Sequence, residues 1–208
     1  MAPTLKNLHM MTSIILQQFA ILACIIIYAS IYLTGIRQGR VKPILATWMF
    51  LSLASALSFV TNFFETGIGG IGINSFNLID STATLIIFLV VARNKNVRKR
   101  FTRFEKMCLG VVALIFIGWL VSGQNVIAHL CIQAILIIAY LPTLAHLWRA
   151  RQNTESLSMW FFDFLGSAIG LIEPLRTLSF LPLVYTIRSA LSALAVMTLI
   201  LRLQYRKS

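Results

Sequence analysis

Acidic side chains are scarce in this chain: six Asp and Glu among 208 residues, against 18 Lys and Arg. Charge of either sign reaches 12%, about half of the roughly 25% that a soluble domain carries. A water-soluble globule is excluded on that ground, and no polar segment is long enough to form a separate soluble domain. Cysteine is also sparse. Cys24, Cys108 and Cys131 lie in apolar runs without CxxC spacing, which excludes a disulfide scaffold or a thiolate metal site and leaves them as small apolar side chains. His9, His129 and His146 are scattered, with no HExxH or other ligand spacing, so neither a metal nor a cofactor is expected. No serine or cysteine nucleophile is set beside a positioned histidine, and the chain is not read as an enzyme. Gly67, Gly69 and Gly72 in "GIGGIG" match GxGxxG in form only. They follow an apolar helix with no strand before them, so a loop is expected there and no dinucleotide site.

What is present is hydrocarbon. Hydrophobic residues make up 58% of the chain and mean hydropathy is +0.84. Apolar runs near 20 residues recur, the length that crosses a bilayer as a helix. Seven spans are expected, over 13–34, 44–63, 71–92, 107–123, 126–147, 159–175 and 179–203. The first is too long for the apolar core of a cleavable signal peptide, and no small-x-small site follows it.

The net charge of +12 is explained by where the cations fall. Fifteen of the 18 lie in four stretches, 37–42, 93–106, 149–151 and 202–207, which all reach one side if the chain crosses seven times. Lys6 and Arg176 fall on the other side. Positive residues favour the cytoplasm, so the N-terminus is placed outside and the C-terminus inside, in a cell membrane. "RNKNVRKRFTRFEK" (93–106) is then a stop-transfer and anionic-headgroup segment, and nucleic acid is not an expected partner. The lipid bilayer and a small-molecule solute are the expected partners, with a homo-oligomer left open.

Shifting the chain by 112 residues places Tyr28 on Tyr140, Arg37 on Arg149 and Trp48 on Trp160. Both segments run from an apolar helix through a basic loop to a tryptophan at the next helix start. Spans 1–3 and 5–7 thus form equivalent triplets (1–98 and 125–208), with span 4 (99–124) as a linker helix. An odd linker points both triplets the same way, a parallel repeat about an axis along the membrane normal.

The stretch "YLPTLAHLWRARQNTESLSMWFFDFLGSAIGL" (140–171) resembles the PQ-loop motif shared with SWEET sugar transporters, and the 3+1+3 arrangement is similar to theirs. The resemblance implies an all-α membrane protein of SWEET-like fold that moves a solute by alternating access, with Pro142 as a gating hinge. It departs from the motif in reading Pro142-Thr143 where the family has Pro-Gln, and in carrying Ser30 where the first repeat would have proline. Gly170 and Ser58 stand where the family's sugar-stacking tryptophan would fall. The same fold resemblance also admits a receptor that binds without transporting.

Residue by residue, the polar groups inside the spans suggest a site. "VYTIRSALSALAVMTLIL" (184–201) holds Arg188 in an apolar run, where insertion of an arginine costs at least about 2.5–3.5 kcal/mol. Span 3 carries Asn74, Asn77 and Asp80 at i, i+3, i+6, on one broad face. Asp80 and Arg188 lie eight or nine residues from the outer ends of their spans, each about 12–14 Å deep at 1.5 Å per residue. Arg188 is therefore expected to face Asp80 across a central cavity, with Asn74, Asn77, Tyr28 and Tyr140 completing a substrate site. Its guanidinium favours an anionic or carboxylate-bearing solute as readily as a sugar. Asp163 reads as shallower, one turn from the cytoplasmic end, reaching the interface or Arg149 or Arg151. That difference in depth argues against a catalytic pair with Asp80. Trp48 and Trp160 read as interfacial belt residues.

Overall fold

The computed structural model describes residues 5–41, 43, 45–94, 103–149 and 155–205. Among them there is no strand. The helices are α1 (Leu5–Arg37), α2 (Leu45–Thr66), α3 (Ser75–Arg93), α4 (Arg103–Ser122), α5 (Asn125–Arg149), α6 (Leu157–Gly170), α7 (Ile172–Thr177) and α8 (Phe180–Tyr205). Four of them, α1, α2, α3 and α8, contain stretches long and apolar enough to cross a membrane. Shorter apolar helical stretches run over Leu109–Ser122 and Asn125–Leu141.

The distribution of side chains is that of a membrane protein. Leu16, Phe19, Leu114, Leu120 and Val121 are exposed, whereas Ser52, Ser55, Ser58, Thr61 and Asn62 on α2 are buried. These five recur at three- and four-residue steps, so one face of α2 is polar and points inward. In lipid, apolar burial gives no preference for the interior, and small or hydroxyl-bearing side chains hold helices together by close approach and hydrogen bonds.

Helix ends follow local chemistry. After α1 the chain turns at Gly39, whose φ of 68° suits glycine and disfavours a β-carbon. α6 starts on Ser156, whose hydroxyl accepts from the Met159 amide. The sixth expected span is not one helix. Pro174 has no amide hydrogen to give the Gly170 carbonyl, and the chain breaks at Leu171 between α6 and α7. α3 also starts later than expected, at Ser75, because a 3-10 turn over Ile68–Gly70 takes up the glycine-rich segment.

Packing partners repeat. α3 packs against both α1 and α2, and α8 packs against both α5 and α6. The two groups meet through α1 on α6 and α2 on α5, while α4 lies outside, on α5 and lightly on α2. Ser55 on α2 bonds Thr84 on α3 at 3.1 Å, and Ser167 on α6, 112 positions further on, bonds Ser189 on α8 at 3.1 Å.

Candidate functional site

All six of the mutually packed helices contribute to one interior cavity. Tyr28 comes from α1, Trp48 and Ser55 from α2, Asp80 and Thr84 from α3, and Tyr140 from α5. Trp160 and Asp163 come from α6, Tyr185 and Arg188 from α8. The space inside is about 20 Å³, enough for a water-sized group. Its lining is buried: Tyr28 is 2% exposed, Asp163 5% and Arg188 7%.

Arg188 and Asp80 do meet at this cavity, but not as a direct ion pair. Tyr185 stands between them: its hydroxyl donates to Asp80 Oδ2 at 2.5 Å, and the Arg188 guanidinium lies 4.7 Å from its ring centre. Tyr185 and Arg188 are three residues apart on one helix, the spacing that brings side chains together. A cation over a desolvated ring is worth about 2 kcal/mol. Arg188 Nε donates to Gln133 Oε1 at 3.1 Å, and Gln133 Nε2 donates to Ser58 Oγ at 2.8 Å. Ser58 and Ser81 each lie 3.2 Å from the Asn77 side-chain amide. His129, fully buried, completes the network. Its Nδ1 is 3.4 Å from Ser58 and 3.3 Å from Thr61, and its Nε2 is 3.2 Å from Gln133. Arg188 is therefore held in place by a string of neutral polar groups on α2, α3 and α5.

Several placements differ from the sequence reading. Asp163 does not reach the interface: it lines the same cavity as Asp80 and Arg188, because α6 packs on α1 and α8 and turns that face inward. Asp163 and Asp80 therefore share one cavity, where the sequence reading set them apart. Trp48 and Trp160 are not belt residues, being 5% and 6% exposed and lining the cavity. Trp48 Nε1 donates to Tyr32 OH at 2.8 Å, and Trp160 Nε1 to Glu155 Oε2 at 3.3 Å. Glu155 is half-buried in the stretch before α6, and loss of water around it pushes its carboxyl up to about 7, an effect the Trp160 bond partly offsets.

The three polar residues of α3 separate. Asp80 lines the cavity, Asn77 belongs to the network behind it, and Asn74 is buried at the helix start with both side-chain polar atoms unpartnered. Tyr28 and Tyr140 both line the cavity. Pro142 lies within α5, and its side chain is outside the described residues, as are Arg151 and the basic positions 95–100. Among the described residues no cluster of His, Cys, Asp or Glu could hold a metal ion. Tyr185, Gln133, Ser58 and His129 carried no sequence signal beyond being polar in an apolar run. Tyr185 alone was within reach, three residues before Arg188.

No protein-family model and no curated protein matches the sequence. The cavity therefore carries the functional reading by itself.

Proposed function

We propose that the chain is a multi-pass membrane carrier, with its N-terminus outside and C-terminus in the cytoplasm, that moves a small polar solute by alternating access. In this reading α1–α3 and α5–α8 are two like-oriented triple-helix bundles joined by α4, a seven-span 3+1+3 arrangement similar to that of SWEET and PQ-loop proteins. The observation that carries it is the cavity. It is lined from both bundles, by charged and aromatic side chains, and two of its residue pairs, Tyr28 with Tyr140 and Trp48 with Trp160, are 112 positions apart. Ser55 and Ser167, 112 positions apart, each bond the third helix of their own triplet, which supports the duplication. Charges inside a membrane protein line pathways more often than they serve packing, since a buried pair adds little net stability. Rocking one bundle against the other would open a buried cavity of this kind to either side in turn.

The test is counterflow of labelled solute in proteoliposomes holding the purified chain, alongside Asp80→Asn and Arg188→Ala. Saturable flux that both variants abolish, with their folding intact, supports a carrier. Binding without flux favours the receptor reading, and wild-type flux in both variants removes the cavity from the pathway.

A further inference from the structure

The cavity holds two carboxyl groups, Asp80 and Asp163, against one guanidinium, Arg188. Asp80 accepts a short bond from Tyr185. Arg188 is held by Gln133 and the Tyr185 ring. Asp163 is 5% exposed, lines the cavity, and accepts no hydrogen bond from any described residue, whereas the neighbouring Ser167 hydroxyl bonds the Asp163 backbone carbonyl and not the carboxylate. A carboxyl withdrawn from water without a donor either stays protonated or takes a partner, and the partner that best offsets the several kcal/mol of ionising it there is a positively charged donor that bonds it directly. The walls around it are suited to one. Tyr140 and Trp160 pack edge-on with ring centres 5.9 Å apart, and Tyr28 and Trp48 line the same space. Aromatic faces attract cations, most strongly where water is excluded.

We infer that Asp163 binds an ammonium group of the transported solute, and that the substrate class is therefore primary amines, with or without a carboxylate, and not neutral polyols or simple acids. This rests on the carrier reading and narrows it, replacing the anionic solute that Arg188 considered alone suggested. The ammonium hydrogens bond the Asp163 carboxylate while the aromatic rings surround the charge. The space of about 20 Å³ matches that head group, and the remainder of the solute is accommodated as the bundles part. Arg188 decides between the two sources of an ammonium: an amino acid adds a carboxylate for the guanidinium, and a simple amine does not.

The experiment uses the full chain in detergent and in proteoliposomes. Thermal shift and counterflow are read against four sets of probes: the common amino acids, primary alkylamines of two to six carbons, the N-acetyl derivatives of both, and a set of monosaccharides and mono- and dicarboxylates. Stabilisation and flux are expected only with free ammonium, and acetylation should abolish both. Asp163→Asn should lower the affinity for the active amine at least tenfold, while its melting temperature without solute shows that it folds. Should that variant fail to fold, Asp163→Glu keeps a carboxylate at a displaced position and should weaken the same amine without admitting an uncharged one. A neutral or purely anionic solute that binds and crosses, with the amines silent, overturns this inference and leaves the carrier reading standing. Unchanged amine affinity in a folded Asp163→Asn also overturns it. Absence of binding and flux in all four sets overturns the carrier reading together with it.

Discussion

Between the carboxylate of Asp80 and the guanidinium of Arg188 stands the ring of Tyr185, which bonds one through its hydroxyl and carries the other on its face. The two contacts separate by mutation. Tyr185→Phe keeps the ring and leaves Asp80 without its donor, and is expected to lower stability by about 1–3 kcal/mol, read as a fall in melting temperature in detergent. Tyr185→Leu loses the ring as well and should fall further. Gln133→Leu tests the other support of Arg188. It leaves the Arg188 Nε without its acceptor and takes a bond from Ser58, so a loss of about 1–3 kcal/mol is expected, together with a reduced response to solute. A melting temperature unchanged by Gln133→Leu would show that the network does not hold Arg188 in place.

At the scale of elements, close approach decides where helices meet. A β-carbon on Gly170 would lie 2.9 Å from Cβ and Cγ of Phe76, so the end of α6 touches the start of α3 only because that position is glycine. Gly170→Val is expected to destabilise by about 1–3 kcal/mol through overpacking. Phe76→Ala in the same chain should return part of that loss, and a double-mutant cycle on melting temperature measures the coupling. The break after α6 belongs to the same scale: Pro174 is visible in the sequence, but a proline in an apolar run signals either a kink or an end. The structure has α7 continuing for six residues before the chain turns at Leu178, at φ 52°.

For the whole molecule, Glu155 gives a pH dependence. Its carboxyl sits at about 7 in the fold against 4.5 as an ordinary glutamate, so the folded state binds its proton more tightly than the unfolded chain does. The penalty of ionising it is absent below about pH 4.5, grows through the interval and is complete above about 7. Wild-type melting temperature is therefore expected to fall as pH rises from 5 to 7 by more than that of Glu155→Gln, and equal slopes would remove Glu155 as the source. The proposed orientation is checked by cysteine labelling in a background without Cys24, Cys108 and Cys131. Ile68→Cys, at a position 79% exposed between α2 and α3, should react with an impermeant maleimide on intact cells. Gln38→Cys, exposed between α1 and α2, should react only after permeabilisation.

Composition and run length alone determined that the chain is helical and apolar enough to enter a membrane. In lipid only a helix or a closed barrel satisfies the backbone, and runs near 20 residues leave the helix. Distance along a span was also legible, because rise per residue is fixed, and Asp80 and Arg188, placed at similar distances by it, both line the cavity. Facing was legible only in part. The hydroxyl face of α2 is periodic, but a tryptophan at a helix start reads equally as a belt residue, and a lone carboxylate near the end of an apolar helix carries no direction, so Asp163, Trp48 and Trp160 were read as outward or interfacial. Only the packing of α6 on α1 and α8, and of α2 on α3 and α5, turned them onto the cavity. The tertiary structure likewise decided that Tyr185 stands between the two charges, since the order of groups across a cavity depends on which helix faces meet, and no linear spacing records that.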